Sequence, residues 1–350
     1  MEEVDFLLDL INRYSPTGDV DEAKGFLLDK LKEYGFNPKV LSRGAIITDV
    51  GCGEKGLILC GHLDTVRGEI PVLFDGRVIS GRGVVDAKGP LATLIQALRR
   101  SANKLKTRVF LAISIDEEEE SLSTLELMKT LRNKAFAAIV GEPSRTYGLT
   151  VAYYGKLDLE ICCTGRRRHI SSSIKFENPL ERAFKTYLAL KKGIFELFGE
   201  IPIAPVSVKG DMGPENECKI HVCVRYPPFL SFREVFTGIS EILNESKCSY
   251  KLMQNVDPYE VDQDNWLVDL LLRCIREEGL NPKLIRKVGT CDMNLIGNIL
   301  KIPTVAYGPG NPRLSHMDVE RILVEDYLRS IRILERALLR IGDHYGPNDD

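Results

Sequence analysis

The chain has 350 residues, 44% of them apolar and 28% charged, with a formal net charge of −3. That length exceeds a usual single core and predicts two domains, while the charge excludes a nucleic-acid footprint and no apolar run approaches the roughly 20 residues of a membrane-spanning helix. Nine cysteines, none in a CxxC pair and none behind a secretory leader, predict reduced thiols in a cytoplasmic protein.

Residues 4–13 and 20–34 carry apolar side chains at helical spacing, and Ser15-Pro16-Thr17-Gly18-Asp19 between them supplies a break and a cap. Short strands follow at 44–50 and 56–60. In the stretch 57–64, LILCGHLD, four apolar residues in succession suit a parallel strand covered on both faces, and the chain turns at Gly61. His62 and Asp64 are two positions apart and project to the same side of an extended chain. One could hold a metal ion while the other holds its second ring nitrogen, although a lone histidine behind a strand is also a common structural residue.

Gly81-Arg82-Gly83 leads to Asp86, which opens a helical pattern reaching about residue 102. The spacing GxGxxD is wrong for a dinucleotide loop, and an N-cap is the plain reading of Asp86. Residues 107–115 form a second buried strand that runs into Asp116-Glu117-Glu118-Glu119-Glu120. An acidic run is usually a solvated face or a helix start. This one leaves a strand at its carboxyl end, the rim where α/β sheets collect ligand sites. A third apolar run, 135–140, ends at Gly141-Glu142-Pro143.

Near residue 150 the pattern changes. Residues 156–163 and 219–226 alternate apolar and polar, helical patterns lie at 179–198 and 231–246, and a third strand falls near 249–255. This predicts a small antiparallel sheet backed by two helices. Helices at 264–278, 291–299 and 320–341 and strands at 283–287 and 302–307 then resume the earlier alternation. The predicted fold is α/β: a discontinuous domain, residues 1–150 and 262–345, with a mostly parallel central sheet flanked by helices, and an inserted α+β domain, 151–261, with an antiparallel sheet.

The last buried strand is followed by Gly308-Pro309-Gly310 and Ser315-His316. The strand ends thus offer His62, Asp86, Glu118, Glu142 and His316, a set of imidazoles and carboxylates suited to zinc, cobalt or manganese. One bridging carboxylate would give each of two ions three protein ligands and room for a shared water. Glu117 would stay unligated beside that water, as a general base must.

Together, GHLDTV (61–66), GRGVVDAKGP (81–90), DEE (116–118), GEPS (141–144) and the late His316 resemble the dinuclear zinc aminoacylases and peptidases, a family that includes acetylornithine deacetylase, succinyl-diaminopimelate desuccinylase and glutamate carboxypeptidase. The resemblance runs in the family's order over nearly the whole chain. It implies that His62, Asp86 and Glu142 bind one ion and that Glu118, Asp86 and His316 bind the other, with Asp86 bridging. Glu117 corresponds to the base and Asp64 to the residue that orients His62. The implied cofactor is a pair of divalent ions, zinc first, with cobalt or manganese as alternatives. The inserted domain would act as a lid and as a homodimer interface, through which His169 reaches the neighbouring active site to stabilise an oxyanion. Asn216 and Arg225 match positions that contact substrate.

A narrower likeness is to the hydrolases of the carrier-protein route to lysine and ornithine, carried by GHLDTVRGEIPV (61–72), GRGVVDAKGPLA (81–92), GTCDMNLIG (289–297) and VAYGPG (305–310). It implies release of the amino acid from the γ-carboxyl of an acidic carrier protein's C-terminal glutamate. Arg67, Cys291, Ser315 and His169-Ile170-Ser171 depart from that pattern. They leave a small-molecule N-acyl-amino-acid deacylase or a metallo-dipeptidase or carboxypeptidase as the alternative. Arg166-Arg167-Arg168 reads as a solvated turn or as a cluster that steers the acidic carrier.

Overall fold

Apolar runs of four to seven residues between turns build the first unit of the protein. The computed structural model describes residues 2–166, 177–210 and 216–342. In chain order the elements are α1 (Glu2–Ile11), α2 (Asp21–Glu33), β1 (Lys39–Val40), β2 (Ile46–Val50), β3 (Gly56–His62), β4 (Leu73–Phe74), β5 (Val78–Ser80), α3 (Lys88–Ser101), β6 (Arg108–Ser114), α4 (Leu122–Leu131), β7 (Ala135–Gly141) and β8 (Gly148–Tyr153). There follow β9 (Gly155–Thr164), α5 (Pro179–Phe198), β10 (Ile203–Gly210), β11 (Glu217–Tyr226), α6 (Phe232–Asn244), β12 (Ser249–Val256) and β13 (Tyr259–Glu260). The chain closes with α7 (Trp266–Glu277), β14 (Lys283–Lys287), α8 (Asp292–Leu300), β15 (Thr304–Tyr307), β16 (Arg321–Leu323) and α9 (Val324–Ile341). One compact unit comprises the residues up to Ala152, Val261–Arg286 and Cys291 onward; the other comprises Tyr153–Glu260 and Lys287–Thr290.

In the first unit a large sheet runs in the order β1-β2-β6-β3-β7-β15-β8, with β14 also beside β8. Its centre is parallel: β3 pairs with β6 and β7, and β15 pairs with β7. The register sets His62 opposite Ser114, and Tyr307 opposite Gly141, so four strands end on one rim. The sheet is covered on both faces, because Gly61 meets Leu91 and Leu94 of α3 whereas its neighbour Cys60 meets Asp292 of α8. That double cover explains the unbroken burial of β3, β7 and β8. Helix α3 is buried except at Arg99 and Arg100 and packs against α1 and α9. It approaches the rim closely: a Cβ on Gly308 would lie 2.8 Å from both the Glu142 carbonyl oxygen and Pro90.

One local expectation changes here. Asp86 is not an N-cap, since Ala87 occupies that position and α3 begins at Lys88 without a side-chain cap. Buried β8 belongs with the central sheet, where it runs antiparallel to β15. A small sheet of β4, β5 and β16, too short to leave a period in the sequence, also forms.

The second unit holds an antiparallel sheet in the order β10-β11-β9-β12. Leu157, Leu159, Ile161, Ile220, Val222 and Val224 alternate inward to form its core, against which α5 and α6 pack. The Asn178 side chain accepts the Glu181 amide at 2.9 Å, and Ser231 and Glu234 form a capping box, so both helix starts are fixed locally. The expectation of wholly reduced thiols is corrected: Cys163 and Cys248 form a disulfide. The antiparallel register pairs Cys162 with Ser249 and brings the two Cα atoms to 4.4 Å. Among the described residues no helix is long and apolar enough to cross a membrane.

Candidate metal centre

The parallel rim delivers side chains from separate elements to one place. His62 is the last residue of β3; Glu117 and Glu118 follow β6; Glu142 follows β7; Asp86 precedes α3; and His316 lies in the segment between β15 and β16. Two groups of donor atoms meet the spacing of a metal site, His62 with Asp86 and Glu142, and Asp86 with Glu118 and His316. Asp86 belongs to both. A third grouping joins His62 to Glu117 and Glu118.

His62 is buried, and its two ring nitrogens have different surroundings. Nδ1 lies 2.9 Å from the Asp64 carbonyl oxygen and 3.4 Å from the Asp64 carboxylate. Donation from Nδ1 to that carbonyl leaves the lone pair on Nε2. Among the described residues Nε2 has no hydrogen-bond partner, although it sits 3.4 Å from Asp86, 3.8 Å from Glu142 and 4.0 Å from Glu117. A buried nitrogen without a hydrogen bond, aimed at three carboxylates, fits a cation better than it fits a structural imidazole.

On the other side of Asp86, His316 Nε2 lies 3.0 Å from Glu118 and 3.4 Å from Asp86. The carboxylate of Asp64 has further partners besides His62. It accepts the Thr17 hydroxyl at 2.7 Å and the amides of Glu117 and Glu118 at 3.2 and 3.1 Å. Asp64 therefore links the His62 strand to the segment carrying the candidate base, and its backbone rather than its side chain makes the shorter contact to His62.

The electrostatics reflect an excess of carboxylates. Burial opposes a charged His62, but the neighbouring carboxylates of Asp64 and Asp86 outweigh it and hold the ring's pKa well above its usual value. Contacts with Asp86 and Glu118 push that of His316 up to about 10. Asp86 itself is buried, yet the two imidazoles hold its pKa below the carboxylate range. Burial pushes Glu117 well above that range, and Asp292, Glu142 and Glu118 add to the rise against the opposing pull of His62. The carboxylates thus favour positive charge at both rings, and divalent cations bound to the neutral imidazoles would supply the same sign of charge.

Sequence reasoning passed over Asp292. It is buried at the start of α8, where it accepts the hydroxyls of Ser114 and Thr124, each at 2.8 Å, beneath the ends of β3 and β6. An acidic residue opening a helix is common for the dipole alone, so the sequence carries no distinct signal for it. Asn216 and Arg225 belong to the second unit. Asn216 is buried, with its side-chain nitrogen unbonded among the described residues, and Arg225 donates to the Thr290 hydroxyl at 3.0 Å. Arg166 is exposed, whereas Arg167, Arg168 and His169 lie outside the described residues.

Residues 58–340 match the model of peptidase family M20/M25/M40. The chain is 35% identical over 333 residues to a LysW-lysine/LysW-ornithine hydrolase of Sulfurisphaera tokodaii, covering 92% of this chain and 90% of that protein. It is 32% identical over 340 residues to a hydrolase of the same description from Saccharolobus islandicus, covering 95% and 94%. Among solved structures, it is similar to an M20 metallo-carboxypeptidase of Sulfolobus solfataricus, with a TM-score of 0.81 at 17% identity over 97% of this chain and 99% of that one. A di-peptidase of Saccharomyces cerevisiae gives a TM-score of 0.80 at 14% identity over 98% and 96%.

Proposed function

The chain belongs to peptidase family M20/M25/M40, and from that premise we propose that it is a dinuclear metal hydrolase releasing lysine or ornithine from the C-terminal glutamate γ-carboxyl of an acidic amino-group carrier protein. The two overlapping donor groups that share Asp86 are the observation that carries the chemistry. The substrate class is supported by relatives described as LysW-lysine/LysW-ornithine hydrolases that align over more than nine-tenths of the chain. His62, Asp86 and Glu142 would hold one ion and Asp86, Glu118 and His316 the other, with zinc the first choice for a mixed imidazole and carboxylate set, and cobalt or manganese alternatives.

Two such ions, when bound, would polarise an amide carbonyl and lower the pKa of an attacking water. Glu117, largely shielded and within reach of both donor groups, would take the water's proton and return it to the leaving amine. Asp64 holds Glu117 and Glu118 in place through their amides. His169, lent by a second copy paired through the lid, would stabilise the tetrahedral oxyanion, and Asn216 and Arg225 would orient the substrate. Carrier and enzyme would meet in the cytoplasm.

A substrate panel tests the assignment. Carrier-linked lysine or ornithine is expected to be cleaved with a higher kcat/KM than acetylornithine, succinyl-diaminopimelate or simple dipeptides; a preference for a small acyl amino acid or a dipeptide would overturn it. Glu117→Gln should keep the wild-type metal content while turnover falls by about 10²–10⁴-fold.

A further inference from the structure

Beside the centre, β5 and β16 pair antiparallel with Arg321 opposite Ser80. That register sets Arg82 and Glu320 next to each other just beyond the strand ends. Arg82 is 4% exposed and Glu320 wholly buried. Ionised groups persist in such a place only when paired and hydrogen-bonded on all sides.

The bonds they make reach three separate segments. Arg82 Nη1 donates to Glu320 Oε1 at 2.6 Å and to the Met317 carbonyl at 3.0 Å, and its Nε donates to the Gly68 carbonyl at 2.6 Å. Glu320 Oε2 accepts the amides of Gly83, Val85 and Asp86 at 3.0, 3.2 and 3.4 Å. Gly83 makes the approach possible: its φ is +83°, and a Cβ there would fall 2.6 Å from the Thr65 methyl. One ion pair therefore grips the loop that ends in Asp86 and the carbonyl directly after His316. Those two candidate ligands come from positions 230 residues apart in the chain, and His316 has no strand to place it.

We propose that Arg82 and Glu320 are positioning residues that fix Asp86 against His316, and so weigh more on the ion held by Asp86, Glu118 and His316, two of whose ligands lie on the gripped segments, than on the ion that shares only Asp86 with it. The other ion keeps His62 and Glu142, which stand directly at the ends of paired strands. The proposal rests on the dinuclear reading of the centre. Groups that orient metal ligands without touching the metal typically change affinity by about 10–100-fold. A pair that merely stabilised the fold would lower the stability of the metal-free protein and leave the ratio of the two affinities alone.

The experiment is a competitive Zn²⁺ titration of the full chain against a chelator, read as two stepwise affinities alongside the unfolding midpoint of the metal-free protein. Glu320→Gln is expected to weaken one step by about tenfold or more and the other, through shared Asp86, by a clearly smaller factor, and His316→Ala marks which step that is. In the double variant Glu320→Gln/His316→Ala, the surviving step should fall below that of His316→Ala alone by no more than the smaller factor seen in Glu320→Gln. Arg82→Lys keeps the charge but loses the guanidinium fork, and should give the same selective loss at reduced size. Two steps that move together, or neither moving, would overturn the positioning role. A wild-type protein that takes fewer than two ions would overturn the dinuclear reading itself, and the positioning role with it.

Discussion

The centre has two halves that share Asp86 and are built in opposite ways. Around His62 the ligand candidates stand at the ends of paired parallel strands, the imidazole is buried, and one ring nitrogen is fixed by the Asp64 carbonyl. Around His316 the imidazole is 48% exposed, the backbone lies in the left-handed region at φ 64°, and no strand carries the residue. A strand rim positions side chains through its ladder of hydrogen bonds, whereas a loop must be tied from outside. The buried Arg82–Glu320 pair supplies that tie for His316, and the register of β3 and β7 places His62 and Glu142 in the other half.

The largest effect should come from removing what the halves have in common. Asp86→Asn takes a charged donor from both groups, so neither ion should be retained after dialysis. Turnover should fall by about 10³-fold or more, in line with several kcal/mol of lost transition-state stabilisation. Metal analysis and a rate assay check both outcomes. A variant that kept one ion tightly would mean the halves are independent.

Next come His62→Ala and His316→Ala, which separate the halves. Loss of buried His62 leaves a cavity among carboxylates and should destabilise the metal-free fold by about 2–3 kcal/mol. Loss of half-exposed His316 breaks its ion pairs with Asp86 and Glu118 and should cost less, about 1 kcal/mol. Denaturant unfolding of the two apoproteins measures the difference. In the wild-type protein, a chelator should strip the His316 half first, because its imidazole is open to water. Equal destabilisation, or the reverse order of release, would break the contrast.

The same contrast governs what could be read from the sequence. The strand-end half was legible because strands covered on both faces appear as unbroken apolar runs, and His62 and Glu142 follow such runs directly. The acidic run after β6 was only partly legible, since identical side chains meet different ends. Asp116 accepts the first amides of α4, at 2.9 Å from Leu122 and 3.1 Å from Ser123; Glu117 and Glu118 turn into the centre; Glu119 and Glu120 are exposed. Arg82 was hidden in a glycine pattern and Glu320 in an amphipathic helix pattern, and only the pairing of two three-residue strands brings them together. In the second unit, alternation revealed β9 and β11 because each has one face in the core. Edge strand β10 escaped notice: Val206 and Val208 are exposed, so its apolar residues mark no buried face.

A smaller perturbation addresses the second role found for Asp64. Asp64→Asn should keep the shape of the side chain but weaken its hold on the Glu117 and Glu118 amides and on the Thr17 hydroxyl. Metal affinity or activity should drop by about 10–100-fold, with both ions still bound at saturating metal. Unchanged affinity and activity would confine the influence of Asp64 to its backbone carbonyl.

The smallest effect should follow Thr17→Val, which is close to isosteric and removes a single hydroxyl donor. Thr17 lies in the turn between α1 and α2, and that turn reaches the rim because the Thr17 amide also bonds the Thr65 carbonyl at 3.1 Å. With the hydroxyl gone, Asp64 Oδ2 retains the Glu118 amide, so the carboxylate is not left without a partner. The cost should therefore stay near the lower end for a hydrogen bond to a charged group, about 1.5 kcal/mol, seen as lower unfolding stability with a few-fold change in turnover. If stability falls while the stepwise metal affinities hold, the turn supports the buried half without setting its geometry. If the step assigned to His62 weakens selectively, the network that fixes the buried half extends past the strand rim to the first helical turn, and the contrast between a strand-set half and a loop-tied half becomes one of degree.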